Sequence, residues 1–236
     1  MSVWAEIPRN LAAVRARLEA AAHAARRDPA SVRLIAVSKT FPAEAVRAAA
    51  DAGQTEFGEN RVQEGLQKIR ATAELTIRWH LIGHLQSNKV RKAAAAFQSI
   101  HSIDSLDLLR KVDDAAAEAG CRPDVLVQVD LAGETTKFGA VEGDLDALFG
   151  AAGALRAARL VGLMLLPPFV EDPEDARPWF RRLREIRDRL ADRGVPATAL
   201  RELSMGMSHD FHVAIEEGAT MVRVGTAIFG QRAPQP

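Results

Sequence analysis

The chain has 236 residues, 47% of them hydrophobic, with 31 basic and 31 acidic side chains and therefore a formal net charge of zero. No global field favours DNA, RNA or an anionic membrane, so neither nucleic acid nor a bilayer surface is an expected partner. The lone Cys121 cannot form an intrachain disulfide, which fits a reducing compartment.

Residues 1–8 carry an early acid and a proline where a secretory leader needs a basic start and an apolar run, so a cytoplasmic location is expected. The longest strongly apolar stretch, residues 160–170, holds two prolines and falls short of the roughly 20 residues that span a bilayer. Leu11, Val14 and Leu18, continued by Ala21, Ala22 and Ala25, recur at helical spacing and predict an opening amphipathic helix. Residues 34–37 then form a short continuous apolar run suited to a strand buried on both faces, and Pro42 starts an alanine-rich helical stretch. This strand-to-helix step repeats at candidate strands 56–58, 79–82, 99–103, 125–129, 160–165, 202–204 and 221–224. Between them the clearest helix runs through Trp179, Leu183, Ile186 and Leu190, begun by Asp172-Pro173-Glu174 and ended at Gly194. Eight strands alternating with helices predict an α/β fold, a parallel sheet closed as a (β/α)8 TIM barrel. No linker, low-complexity tract or repeat divides residues 1–236, which are expected to form a single domain with an N-terminal helix.

In such a barrel functional groups gather where strands end and the following loops begin. Lys39 directly follows Ala36-Val37-Ser38, where desolvation favours a neutral, nucleophilic amine able to form an imine; a solvated lysine at a strand end is the plain alternative. Near the other end, residues 221–230 run from a strand into Gly225 and Thr226. The glycine lets the backbone approach an anion, and the threonine adds an N–H and a hydroxyl. An ordinary turn closing the barrel is the alternative there. Ser204-Met205-Gly206-Met207-Ser208, placed after the seventh strand, offers further hydroxyls to the same anion. His80 and His84, and likewise His209 and His212, are spaced to share a metal, but Gly83 interrupts the first pair and no cysteine or acidic cluster completes a ligand set.

Five segments together resemble the pyridoxal phosphate homeostasis protein family: Ala36-Val37-Ser38-Lys39-Thr40, residues 57–64 (FGENRVQE), residues 79–89 (WHLIGHLQSNK), Leu203-Ser204-Met205-Gly206-Met207-Ser208, and Val222-Arg223-Val224-Gly225-Thr226 through Gly230. They occur in the family's order and extend the likeness over essentially the whole chain. Phe41 before Pro42 departs from the common pattern, as do His209 and His212 at a helix start. The resemblance implies the barrel of the alanine racemase N-terminal domain, a fold-type III binder of pyridoxal 5′-phosphate (PLP). Lys39 matches the lysine that forms the Schiff base with PLP; Ser208, Gly225 and Thr226 match positions at its phosphate; Arg223 matches the arginine facing the pyridine nitrogen. Asn60 and His80 match residues lining the pocket.

An arginine at the ring nitrogen keeps its own proton, so the ring is a poorer electron sink than beside a carboxylate. Related racemases add a tyrosine from another domain as second base. This sequence contains no tyrosine, and with six residues after Gly230 no covering domain is expected. The expected function is therefore intracellular PLP homeostasis: a monomer that binds PLP and supplies it to apo enzymes. The alternative is a low-efficiency PLP-dependent amino-acid racemase or lyase, with Lys39 as one base and His80 or water as the other.

Overall fold

A computed structural model describes residues 4–133 and 138–231. Helix α1 (Ile7–Ala24) precedes eight strands: β1 (Arg33–Val37), β2 (Glu56–Glu59), β3 (Arg78–Leu81), β4 (Ser99–Ile103), β5 (Asp124–Val129), β6 (Arg159–Leu165), β7 (Glu202–Met207) and β8 (Met221–Val224). The intervening helices are α2 (Ala43–Asp51), α3 (Val62–Ala71), α4 (Val90–Ala96), α5 (Leu106–Ala119), α6 (Leu145–Gly150), α7 (Arg177–Asp192) and α8 (Phe211–Glu216), with a short α9 (Thr226–Phe229) after β8. All neighbouring strands pair in parallel, and β8 returns to β1 with Ile35 opposite Arg223 and Ala36 opposite Val224, closing the barrel.

Closure separates two apolar layers. Ile35, Leu126, Val161, Met164 and Met221 meet in one cluster, while the apolar stripes of the helices pack on the strands in a much larger one. Helix α1 buries Ile7, Leu11, Val14 and Leu18 and lies against α8, α9 and α2; its Asn10 amide donates to the Ile228 carbonyl at 3.1 Å. The strands begin with charges that the apolar runs conceal. Arg33 meets Glu202 at 2.5 Å, Arg78 meets Asp124 at 2.6 Å, and Arg159 meets the same Asp124 at 2.8 Å. This end of a barrel contributes stability rather than chemistry.

The largest departure from the sequence expectation is β7, which runs to Met207 instead of ending at Ser204. The register shifts between Ser204 and Met207, and Gly206 takes φ +90° where a Cβ would stand 2.6 Å from that of Ala214. Only glycine fits so close beneath α8. Ser204 therefore lies inside the barrel wall. Among the described residues no helix is long and apolar enough to cross a membrane, and no group of three or more His, Cys, Asp or Glu could hold a metal ion.

Candidate functional site

Lys39 stands two residues beyond the end of β1. The Ser38 N–H donates to the Gly58 carbonyl at 3.1 Å, continuing the pairing with β2, and Lys39 itself is half-buried. Thr40 then turns the chain at φ +70°, and the Phe41 N–H closes the turn on the Ser38 carbonyl at 3.0 Å. A buried charge cluster pins this turn. Lys68 on α3 donates from Nζ to the Ser38 carbonyl (2.7 Å), Glu59 Oε1 (2.6 Å) and Glu64 Oε1 (2.8 Å), while the Ser38 hydroxyl donates to Glu59 Oε1 at 2.6 Å. The Thr40 N–H donates to Glu64. Burial raises the Glu59 carboxyl above its ordinary range, opposed by Lys68 and the Ser38 hydroxyl, and Glu59 Oε2 has no hydrogen-bond partner among the described residues.

The loop after β8 presents converging amides beside that strand end. Gly225 N–H and Ala227 N–H both point to the Ser208 hydroxyl oxygen, at 3.1 and 3.4 Å. Thr226 between them is exposed. Two backbone donors aimed at one oxygen form a concavity suited to a phosphate. The approach needs glycine, because a Cβ on Gly225 would meet the Val37 carbonyl oxygen at 3.2 Å. Of the serines offered to the anion by the sequence, Ser208 is at the amides and Ser204 is not.

Arg223 on β8 is buried, donating from Nη1 to Ser204 Oγ at 2.6 Å and from Nη2 to the Leu165 carbonyl at 2.8 Å. Among the described residues it makes no ion pair. Desolvation pulls its guanidinium down to about 10, opposed by the negative charge of Asp210. An unpaired buried cation is costly, so its remaining donors call for a polar acceptor.

His80 is fully buried within the barrel, its Nδ1 3.0 Å from His101 Nε2 and its Nε2 2.5 Å from Glu56 Oε2. His101 Nδ1 in turn lies 2.9 Å from Ser204 Oγ. Burial holds both imidazoles below their ordinary range, His101 the further. Asn60, half-buried after β2, lines a cavity of about 350 Å³ with Arg61, His84 and Lys89. His84 stacks on Phe138 with ring centroids 3.5 Å apart, and His209 Nε2 donates to the Glu171 carbonyl at 2.9 Å. Lys39, Ser208, Gly225 and Thr226 thus share the mouth of the barrel with Asn60. Arg223 and His80 lie in its interior, joined through Ser204 and His101.

Residues missed in the sequence are Glu59, Glu64, Lys68 and His101. The Glu64–Lys68 spacing of four on a helix was a visible signal for an ion pair. Nothing marked Lys68 as buried.

Residues 9–233 match the family model for the alanine racemase N-terminal domain. The chain is 47% identical over 227 residues to the pyridoxal phosphate homeostasis protein of Pseudomonas aeruginosa, covering 96% of each. It is 44% identical to the one from Aquifex aeolicus, covering 94% of this chain and 97% of that protein. PipY of Synechococcus elongatus, solved with PLP bound, superposes with TM-score 0.85 at 40% identity, covering 95% of this chain and 100% of that one. An alanine racemase from Clostridium difficile shares the fold at 15% identity and TM-score 0.72, and the barrel spans 58% of that enzyme. With the mouth geometry, the barrel and these likenesses in agreement, the chain belongs to the alanine racemase N-terminal domain family and, within it, to the pyridoxal phosphate homeostasis proteins.

Proposed function

We propose that this protein binds PLP as a Schiff base on Lys39, keeps it in store and supplies it to apo enzymes. The observation that carries the reading is the contact between the two ends of the cradle: Gly225, whose amide converges with that of Ala227 on Ser208, sits against Val37, two residues from Lys39. A phosphate on those amides, with Ser208 and Thr226 beside it, leaves the aldehyde within reach of a lysine on the adjacent strand. Bound PLP supplies an electrophilic aldehyde carbon and an electron-accepting ring.

The residues present do the rest. Lys68, Glu59 and Glu64 hold the turn that carries Lys39. Arg223 would face the ring nitrogen and, as a cation, would keep its own proton. Asn60 borders the ring at the mouth, and His80 acts from below. An arginine there would leave a bound ring a weak electron sink, and no tyrosine in the sequence provides a second base. Binding and release suit this site better than racemisation.

The test offers PLP-loaded protein to an apo enzyme that depends on PLP, and in parallel incubates it with amino acids in deuterated water. The reading expects restored activity in the first assay and no deuterium at the α-carbon in the second. Rapid exchange that disappears in Lys39→Ala would make the protein a racemase or lyase, and failure to restore activity would reduce its role to storage.

A further inference from the structure

A continuous file of polar groups crosses the barrel interior: Arg223 Nη1 to Ser204 Oγ (2.6 Å), Ser204 Oγ to His101 Nδ1 (2.9 Å), His101 Nε2 to His80 Nδ1 (3.0 Å), and His80 Nε2 to Glu56 Oε2 (2.5 Å). Ser204, His80 and His101 are fully buried, and Arg223 nearly so. Glu56, at the start of β2, keeps about a fifth of its side chain exposed at the opposite mouth. The five residues come from β8, β7, β4, β3 and β2.

An ionised carboxylate can only accept and an arginine can only donate, so with both imidazoles neutral the Glu56 end sets the tautomers along the file. His80 donates from Nε2 to the Glu56 carboxylate, so its Nδ1 accepts from His101. His101 is then likewise the Nε2–H tautomer, and its Nδ1 accepts the Ser204 O–H. Ser204 Oγ in turn accepts from Arg223. Every group is satisfied with both imidazoles neutral, a cation at one end and an anion at the other. A proton placed on His80 Nδ1 would face the His101 N–H head-on. Relieving that clash by switching the His101 tautomer would strip the Ser204 hydroxyl of its acceptor, leaving a buried donor unpaired.

We infer that Glu56, His80, His101 and Ser204 are positioning residues for PLP: they hold the Arg223 guanidinium at one setting toward the ring nitrogen through a hydrogen-bond file with one allowed direction. This rests on the reading that Arg223 faces that nitrogen. The charges facing the two rings agree with neutrality, since Arg33 on β1, Arg78 on β3 and Arg223 on β8 all oppose a proton there and Glu56 alone favours one. A purely structural network would stabilise the barrel without being felt at the cofactor.

The experiment has two arms. In the first, the cofactor-free parent labelled with nitrogen-15 in its histidines is examined by NMR, which needs no variant to fold. Two buried neutral Nε2–H rings are expected; an Nδ1–H tautomer or an imidazolium at either position near neutral pH overturns the inference. In the second, PLP labelled with nitrogen-15 in its ring is bound to the parent, His101→Phe, His101→Gln and Arg223→Gln. Phenylalanine ends the file, whereas a glutamine amide restores one acceptor and one donor. The ring-nitrogen resonance in His101→Phe should move toward that of Arg223→Gln, with about a tenfold loss of PLP affinity, and His101→Gln should return toward the parent. A ring nitrogen unmoved in folded His101→Phe but moved in Arg223→Gln overturns the inference and leaves the cofactor reading standing. If Arg223→Gln itself leaves the resonance unmoved, Arg223 does not face the ring and both fall.

Discussion

Gly225 packs on Val37: a Cβ on the glycine would stand 3.2 Å from the Val37 carbonyl oxygen, so the amide turn after β8 is laid on the end of the strand that leads to Lys39, two residues further on. Gly225→Ala puts a methyl group against backbone that has little freedom to yield, and the amides or the lysine must shift by a few tenths of an ångström. PLP affinity is expected to fall about tenfold, while pyridoxal, which lacks the phosphate, loses little. Titration of both compounds by absorbance checks this. Equal losses for the two would mean that the turn is not a phosphate site.

Lys68→Met leaves Glu59 buried without its cation. Breaking such a pair costs about 3 kcal/mol. The sign with pH follows from the direction of the Glu59 shift. Its carboxyl is raised in the folded protein, so above the ordinary carboxylate range the folded state holds a proton longer than the unfolded one, and stability falls as pH rises. Removing Lys68 raises the group further. Urea unfolding should therefore show a larger deficit at about pH 8 than at about pH 5. A deficit independent of pH would assign the loss to packing alone.

The buried histidines work in the opposite direction. Both are held below their ordinary range, so the unfolded chain takes up protons there first and stability falls as pH falls from about 7 to about 5. Glu56, held low mainly by its bond to His80 against the cost of burial, adds to the loss at lower pH. The two imidazoles account for a slope of up to about two protons, near 2.7 kcal/mol per pH unit at its steepest. His101→Gln should remove about one of them, measured as the change in unfolding free energy across that range. An unchanged slope would show that His101 is charged in the folded state.

Arg223→Gln replaces a buried cation that has no ion-pair partner among the described residues. Its loss is expected to lower PLP retention about tenfold with a smaller effect on unfolding of the cofactor-free protein, because the desolvation cost of the charge disappears with it. Dialysis of loaded protein against buffer measures the first and a thermal scan the second. Intact retention with collapsed stability would make Arg223 a structural residue.

The eight strands were legible because closed parallel sheets bury both faces and leave continuous apolar runs, as at residues 34–37 and 125–129. Charged strand starts such as Arg33, Arg78 and Asp124 were not, since a charge ends an apolar run whether or not an ion pair awaits it. The seventh strand was expected to end at Ser204 because Gly206 interrupts the run that follows; in the fold that glycine is the close-packed point of a bulged strand. His101 was passed over inside an apolar strand, although a lone polar ring there can be buried only with partners, and one candidate, His80, stood on the preceding strand. Nothing in the sequence singled out Lys68 as buried. Its burial depends on Glu59 and Ser38, which reach it from two different strand ends.

The most direct measurement is a peptide map of PLP-loaded protein reduced with borohydride, which fixes the cofactor to whichever lysine bears it. The Schiff-base reading predicts the phosphopyridoxyl group on Lys39 and its disappearance, with the fold retained, in Lys39→Ala. The adduct on Lys89 or Lys137 in the parent, or the same yield of adduct in Lys39→Ala, would contradict it.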